Sequence, residues 1–311
     1  MSTNPRVLVV GDLVTDVLVV HSGPMAVGSD TPARISVSGG GSAANTAAWL
    51  TQVDVAVELV AVAGADVAGD DRLAELRAIG VGCSGVRRTD DAPTGSIVVL
   101  VHDGQRSFLH DRGANLTLSP SDVDFSLAGV GPGCHLHLSG YTLFETSTRP
   151  AGRHALRAAA EAGLTTSVDA ASADPLRRVG GQAFLDWVRG TDVVLANLDE
   201  AHALLDDKSA GPDDLARGLA TAARGFAVVK LGADGAIWAG RDGTVIRSGA
   251  APVPVPVDPT GAGDAFAAGL LAAWLAGADP EAALRAGARL GSEAVGVVGG
   301  RPPARERPSL R

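Results

Sequence analysis

The chain has 311 residues, of which 46% are hydrophobic, and carries a formal net charge of −9. A chain of this length supports one large hydrophobic core, so we expect a single domain over residues 1–311 with at most a small appendage. The acidic balance disfavours a nucleic-acid-binding protein, and no apolar run is long enough to span a membrane.

Short apolar runs bounded by Gly or Asp alternate with Ala- and Leu-rich amphipathic segments. The apolar runs predict buried strands over 7–10, 57–62, 135–138, 165–168, 193–195 and 227–231. The amphipathic segments predict helices over 43–53, 71–79, 150–162, 199–206, 212–223, 262–276 and 280–297. This alternation indicates an α/β fold, with a mainly parallel sheet sandwiched by helices.

Two regions, about 14–38 and 94–112, depart from this alternation. Their β-branched and alternating residues predict short strands joined by Gly, Pro and Asp turns. A small sheet built from two separated segments is typical of a lid that closes over a ligand and excludes water. Ordinary surface hairpins explain the same pattern equally well.

A glycine-rich turn, Gly261-Ala262-Gly263-Asp264, precedes the predicted helix over 262–276. Backbone N–H groups at the positive end of a helix form a binding site for an anion. Glycines let a phosphoryl group approach the main chain, and Asp264 would lie within reach of an incoming hydroxyl. The pattern therefore favours phosphoryl transfer, although Asp264 alone is also explained as a carboxylate that stabilises a helix start.

A second glycine cluster, Gly39-Gly40-Gly41 with Asn45 after it, matches the Gly-x-Gly-x-x-Ala pattern of dinucleotide-binding folds. Asp66 follows at about the distance that such a site requires. However, the segment before the glycines is short and interrupted by a polar residue, whereas the better first strand, 7–10, precedes no such glycines. A dehydrogenase is therefore the weaker hypothesis.

Other chemistries have less support in the sequence. Neither Lys208 nor Lys230 follows a glycine, which excludes a Walker-type nucleotide site. His135 and His137 share a strand face without a third ligand, so we expect no tightly bound transition metal. The two cysteines form neither a disulfide nor a metal-binding pattern, and we predict a protein of the reducing cytoplasm.

The two glycine motifs have a common explanation. The run Gly-Gly-Gly-Ser-Ala-Ala-Asn-Thr-Ala over 39–47 and the run Asp-Pro-Thr-Gly-Ala-Gly-Asp-Ala-Phe-Ala-Ala-Gly over 258–269 occur in one chain. In this order and spacing they resemble the two signatures of the ribokinase-like (PfkB) family of carbohydrate kinases, over nearly the whole chain. The resemblance implies a ribokinase-like fold with a small β-sheet lid, and an ATP-dependent kinase.

The resemblance also assigns roles to the residues of both motifs. It implies that Asp264 removes the proton of the substrate hydroxyl and that three residues form the anion hole, namely Gly261, Ala262 and Gly263. It further implies a sugar-binding set made of Asp16, Gly40, Gly41 and Asn45. A carboxylate can accept hydrogen bonds from two adjacent hydroxyls, although an aspartate at a position such as Asp16 is more often a solvated turn residue.

On the nucleotide side, Asn197 and Glu200 are similar to the family's Asn-x-x-Glu motif, which implies that Glu200 helps to hold Mg²⁺ through water. The same two residues also form a capping-box pattern. A nucleotide-binding role is further implied for Lys230, Gly232 and Gly235. The implied cofactors are ATP and Mg²⁺, and many relatives need K⁺ at a loop whose start matches Asp258.

The substrate stays open at this point. Ser42 stands where ribokinases proper carry lysine, and Arg106 lies in a lid segment similar to that of hexose and keto-sugar kinases, where it would meet an acidic or phosphorylated substrate. We predict phosphorylation of a hydroxymethyl group on a sugar of the ribose, fructose or keto-sugar-acid type. An adenosine-type nucleoside kinase is the alternative, followed by a non-catalytic sugar-binding protein. A homodimer formed through the lid is expected from the resemblance.

Overall fold

The computed structural model describes residues 7–102, 105–253 and 255–303, with the backbone alone for residues 105 and 106. The described residues form thirteen strands: β1 (Val7–Val10), β2 (Val14–His21), β3 (Ala33–Gly40), β4 (Val57–Gly64), β5 (Val86–Thr89), β6 (Gly95–His102), β7 (Gln105–Asp111), β8 (His135–Ser139), β9 (Thr165–Asp169), β10 (Val193–Asn197), β11 (Phe226–Lys230), β12 (Ala236–Ala239) and β13 (Val245–Ser248). They also form eleven helices: α1 (Ser42–Gln52), α2 (Val67–Ala78), α3 (Pro120–Leu127), α4 (Tyr141–Phe144), α5 (Arg149–Glu161), α6 (Ala173–Val179), α7 (Gly181–Trp187), α8 (Leu198–Leu205), α9 (Pro212–Ala223), α10 (Ala262–Leu275) and α11 (Pro280–Val295).

The larger sheet has the strand order β13-β12-β11-β10-β9-β8-β1-β4-β5. Its strands run parallel from β11 to β5, and at the other edge β12 pairs antiparallel with both β11 and β13. Helices cover both faces, so central strands such as β1 are buried along their whole length and consist of apolar residues alone. The predicted α/β class and its parallel sheet are confirmed.

Parallel pairing brings three polar side chains to one edge of this sheet. Strands β9, β10 and β11 are neighbours and end at Asp169, Asn197 and Lys230. In the register between β10 and β11, Asn197 lies opposite Lys230. In open parallel sheets, ligands bind outside the carboxyl ends of the strands.

Helices α1 and α10 pack against each other through small side chains. Ala43, Ala47, Ala265 and Ala268 all lie in one buried cluster. Because alanine keeps the helix axes close, polar residues at the start of α1 can reach the start of α10.

A second, four-stranded sheet has the order β3-β2-β6-β7. Pairs β2–β3 and β6–β7 are antiparallel and pair β2–β6 is parallel. The Asn115 side chain joins this sheet to the body, since its Oδ1 accepts from the Leu13 backbone N–H at 2.9 Å and its Nδ2 donates to the Leu13 carbonyl at 3.0 Å. The predicted small sheet is confirmed, and its action as a lid stays a prediction.

Candidate active site

A cleft of about 850 Å³ lies at the carboxyl edge of the larger sheet, beside the smaller sheet. Most residues that were predicted to form a site line it: Asp16, Gly41, Asn45, Asn197, Glu200, Lys230, Gly232, Gly235, Gly261, Ala262, Gly263 and Asp264. Gly40 lies directly beneath Asp16. The side chain of Arg106 is outside the described part of the chain.

The glycine turn before α10 has the conformation of an anion-binding site. Gly261 has φ +75°, and a side chain there would overlap the carbonyl oxygen of Gly300. Ala262 donates its N–H to the Pro259 carbonyl at 3.2 Å. Among the described residues, no acceptor forms a hydrogen bond with the Gly261 or Gly263 N–H, and the Lys230 Nζ lies 3.3 Å from the place where a Cβ on Gly263 would be. Gly261, Gly263 and Lys230 thus line the same cleft, with the lysine next to Gly263.

Asp264, in the first turn of α10, is held by two side chains from α1. The Ser42 hydroxyl donates to Oδ1 at 2.8 Å, and the Asn45 amide donates to Oδ2 at 3.1 Å. Burial and the Asp169 charge raise the pKa of Asp264 to about 7, while the two hydrogen bonds and Lys230 oppose that shift. The carboxyl therefore exchanges a proton near neutral pH, as a general base requires.

The contact of Ser42 with Asp264 was not predicted, because in the sequence only its difference from the lysine of ribokinases was apparent. Ser42 and Asn45 are three residues apart and therefore share one helix face. This spacing was a usable signal, but Asp264, which both side chains contact, lies 222 residues after Ser42 and 219 after Asn45.

The glycines before α1 serve close packing. A side chain on Gly40 would overlap the Asp16 carboxylate, and Gly41 has φ +97°, with its Cα facing the Asp12 backbone. Gly40 is the last residue of β3 and Gly41 follows it, and β3 runs antiparallel to β2 in the smaller sheet. A dinucleotide site requires a parallel strand-helix-strand unit at this point, so the dehydrogenase hypothesis is wrong.

The Asp16 carboxylate is prepared to accept hydrogen bonds. Its Oδ1 is buried without a hydrogen-bond partner among the described residues. Burial raises the pKa of Asp16 to about 6, and the positive charges of Arg301 and Arg72 oppose the shift. A buried acceptor without a partner is costly, which makes this oxygen a point where ligand hydroxyls would bind.

On the opposite wall of the cleft, Asn197 and Glu200 form a complete capping box at the start of α8. The Glu200 carboxylate accepts from the Asn197 backbone N–H at 2.8 Å and from its side-chain amide at 2.7 Å, while Asn197 Oδ1 accepts from the Glu200 N–H at 2.9 Å. Burial raises the pKa of Glu200 above its ordinary value, and the Lys230 charge opposes this. The structural explanation of this motif is therefore correct, and it leaves lone pairs of Glu200 for water.

Lys230 forms an ion pair with Asp169, at 2.6 Å between Nζ and Oδ2. Burial by itself lowers the pKa of Lys230, but the Asp169 and Glu200 carboxylates outweigh it and raise the pKa above the ordinary value. Sequence reasoning missed Asp169, although a carboxylate that ends a buried strand beside a lysine-ended strand was a signal. Gly232 and Gly235, with φ +60° and +92°, form the turn after Lys230.

Asp258 lies behind the anion-binding turn and is almost fully buried. Its Oδ1 accepts from the Thr260 N–H at 2.8 Å and its Oδ2 from the Gly299 N–H at 3.0 Å. The carboxylate thereby ties the turn to the C-terminal segment.

Among the described helices, none combines the length and hydrophobicity needed to cross a bilayer.

Among known proteins, two relatives are similar to this chain in sequence over most of their length. The chain is 35% identical over 300 residues to an ATP-dependent ribose-1-phosphate kinase of Halopiger xanaduensis, a match that covers 95% of this chain and 94% of the relative. It is 32% identical over 266 residues to a 2-dehydro-3-deoxygluconokinase of Thermoproteus tenax, which covers 83% and 80% of the two chains. Both relatives are kinases of small sugar derivatives.

Solved structures share the whole fold. The adenosine kinase of Sinorhizobium meliloti superposes with a TM-score of 0.81 and 25% identity, covering 96% of each chain, and ribokinases have the same architecture. The ribokinase-like fold predicted from the two motifs is therefore confirmed. A family model described as pfkB family carbohydrate kinase matches residues 4–307. The chain belongs to the pfkB family of carbohydrate kinases.

Proposed function

We propose that this kinase transfers the γ-phosphoryl group of ATP to a hydroxymethyl group of a sugar, with Asp264 as the catalytic base. One observation supports this best: Asp264, Lys230 and the two glycines whose N–H groups have no acceptor among the described residues all line the same cleft, with Lys230 next to Gly263. We call the part of the cleft around Asp264, Lys230 and these glycines the phosphoryl end, and we call the part around Asp16 and Gly41 the sugar end.

In the proposed reaction, the substrate hydroxyl lies between the two ends and gives its proton to Asp264. The hydroxyl oxygen forms a bond to the γ-phosphorus as the bond from that phosphorus to the β-phosphate oxygen breaks, which releases ADP. The Gly261 and Gly263 amides and the first turn of α10 stabilise the negative charge of the transferring group. Ala262 holds the turn through its bond to Pro259. Lys230, held by Asp169, adds a positive charge at the same place.

ATP would bind along Asn197, Lys230, Gly232 and Gly235, which form one wall of the cleft. When bound, Mg²⁺ supplies positive charge that neutralises the phosphates. In the described ranges, no group of three or more His, Cys, Asp or Glu side chains is arranged to hold a metal directly. Mg²⁺ usually keeps several waters and binds to substrate phosphates, and the Glu200 carboxylate fits a contact through such a water.

A requirement for K⁺ also stays a prediction. The buried Asp258 carboxylate lies beside the phosphoryl end, where it offers negative charge to a monovalent cation. We expect kcat to rise when KCl replaces choline chloride at equal ionic strength. Equal activity in both salts would contradict the requirement.

A nucleoside is the second candidate substrate, because apolar side chains line the sugar end of the cleft. Ile97, Val99 and Phe108 of the smaller sheet line the cleft there together with Tyr141. Lys230, at the other end, is the only basic residue among the described residues that line the cleft. The uncharged base of a nucleoside suits such apolar surroundings better than the phosphate of a phosphorylated sugar does. A phosphorylated sugar would need a positive charge there, which Arg106 would have to supply.

An ATP-consumption screen tests these proposals. The acceptors are ribose, ribose 1-phosphate, fructose, 2-dehydro-3-deoxygluconate and adenosine, with Asp264→Asn as the control that should abolish each signal. Turnover of adenosine without turnover of ribose 1-phosphate favours the nucleoside candidate, and the opposite result favours the phosphorylated sugar. Turnover that survives in Asp264→Asn would contradict the assignment of the base.

The cytoplasmic location and the homodimer also stay predictions. Cys83 and Cys134 are free thiols, as expected in a reducing compartment. Apolar side chains are exposed on the smaller sheet, among them Ile35, Val37 and Leu109. Surfaces of this kind support association, and sedimentation equilibrium would measure it.

A further inference from the structure

Residues 299–301, which we call the C-terminal strap, connect the two ends of the cleft. At the phosphoryl end, Gly299 donates its N–H to Asp258 and the Gly300 carbonyl lies against Gly261. The same carbonyl accepts from the Trp49 indole N–H at 2.9 Å, which fixes the strap to α1. The next residue, Arg301, extends to the sugar end.

Arg301 contacts the glycines that precede α1, on the side away from the cleft. Its Nη2 donates to the Gly40 carbonyl at 3.0 Å, and its Nη1 donates to Glu75 at 3.2 Å. The guanidinium occupies the place where a side chain on Gly39 would be, whereas the Asp16 carboxylate occupies the corresponding place on Gly40. Two of the three consecutive glycines therefore leave space for this arginine and this aspartate.

The arginine is buried, with 10% of its side chain exposed, and is close enough to influence the Asp16 charge. Burial lowers the pKa of Arg301 to about 10, so the guanidinium stays positive at neutral pH. Asp16 is faced by two positive groups, Arg301 and Arg72, and by two negative ones, Asp12 and Asp258. The two arginines therefore oppose the effect of burial on the pKa of Asp16 and favour its ionised form.

We propose that Arg301 is a positioning residue for the acceptor substrate: by bonding the Gly40 carbonyl and placing a positive charge behind Asp16, it holds Asp16 oriented and ionised for substrate hydroxyls. The proposal rests on the proposed sugar-binding role of Asp16. Arg301 itself does not line the cleft, so it acts through Gly40 and Asp16.

Steady-state kinetics of Arg301→Gln and Arg301→Lys test this role, with the acceptor of highest kcat/KM from the screen above. Glutamine keeps a hydrogen-bond donor without the charge, and lysine keeps the charge without the two-pronged geometry. For Arg301→Gln we expect the acceptor KM to rise about tenfold, while the ATP KM and kcat at saturating acceptor change less than about threefold. The pH below which the acceptor KM rises should move upward in Arg301→Gln but not in Arg301→Lys.

Arg289→Gln is the matched control, because Arg289 is 62% exposed on α11 and, among the described residues, its ion pair is with the exposed Glu293 at 3.4 Å. It should leave every constant unchanged. If Arg301→Gln does not fold, Arg301→Lys decides: a raised acceptor KM at constant ATP KM supports the proposal, and an unchanged acceptor KM overturns it. A lower melting temperature with wild-type kinetics and pH dependence would show a merely structural role and overturn it as well.

Asp16→Asn separates this proposal from the proposed function. If Asp16→Asn leaves the acceptor KM unchanged, Asp16 does not bind the acceptor and the proposed sugar end is wrong. If Asp16→Asn raises the acceptor KM but Arg301→Gln does not, only the role of Arg301 is wrong. If both raise it, the double variant should add little to Asp16→Asn, because the arginine acts through the aspartate.

Discussion

At the phosphoryl end of the cleft, both oxygens of Asp264 accept hydrogen bonds from Ser42 and Asn45, whereas at the sugar end the Asp16 Oδ1 is buried with no partner among the described residues. Burial raises the pKa of both carboxyls, to about 7 for Asp264 and about 6 for Asp16. The protein thus orients the Asp264 carboxylate with its own side chains, whereas the Asp16 Oδ1 is left to accept hydrogen bonds from the substrate.

This difference predicts different kinetic consequences at the two ends. A group that acts on the transferring proton or phosphoryl group affects kcat, because its contribution appears in the transition state. A group that binds sugar hydroxyls equally in the ground and transition states affects KM. The following substitutions test that separation, beginning with the largest expected effect.

Asp264→Asn should lower kcat by at least about 10²-fold and leave the ATP affinity nearly unchanged, since a positioned base contributes about 10²–10⁴. Initial rates and ATP titration measure both quantities. Asp279→Asn is the control, because Asp279 is another aspartate at a helix start, where it caps α11. Equal losses of kcat in the two variants would show that Asp264 only stabilises the start of its helix.

The same variant has a consequence for stability. The pKa of Asp264 lies near 7 in the folded protein, above its ordinary value of 3.8. The folded state therefore binds this proton more tightly than the unfolded state, so stability from this group increases as pH falls from about 7 towards 4 and is lost above 7. Asp264→Asn should raise the melting temperature at pH 8 and raise it less at pH 5.

Asp16→Asn should raise the acceptor KM between about 10- and 100-fold, as expected for lost hydrogen bonds to a charged group, with the ATP KM unchanged. The exposed Asp30→Asn in the β2–β3 connection is the control. A fall in kcat as large as that of Asp264→Asn would remove the distinction between the two ends.

Gly263→Ala should lower kcat about tenfold with little change in the acceptor KM. The added methyl would lie 3.3 Å from the Lys230 Nζ, in the space that a phosphoryl group needs. Gly131→Ala is the matched control, since a methyl there meets no atom within 4 Å and the backbone does not have positive φ. If Gly263→Ala raised only the acceptor KM, the anion hole would be assigned to the wrong end.

Ser42→Ala should have the smallest effect, a displacement of the pH profile. The Ser42 hydroxyl lowers the pKa of Asp264, so its removal should raise that pKa. The acid limb of the kcat–pH profile should therefore move from about pH 7 to higher pH. The acceptor KM of the same variant should still rise only below about pH 6, where Asp16 becomes protonated. Ser126→Ala, on the distant helix α3, should leave both limbs in place. A joint shift of both limbs would mean that the two carboxyls titrate together.

Sequence patterns predicted the long elements well. The helix predicted over 212–223 has those bounds in the structure, because Gly211 and Pro212 mark its start. Helices α6 and α7, with seven residues each, were not predicted, since so short a segment shows too little periodicity. Helix α3 was also missed, although Ser119-Pro120 with Asp122 is a capping pattern that announces a helix start.

The sequence by itself determined the α/β fold, the small sheet and the two glycine motifs, because each depends on neighbouring residues: periodicity, turn chemistry and a helix N-terminus are local properties. The tertiary structure alone decided which side chains support the predicted site. Ser42 contacts Asp264 across 222 residues, Lys230 pairs with Asp169 across 61, and Arg301 reaches Gly40 across 261. Such contacts follow from strand order and close helix packing, which local patterns do not encode.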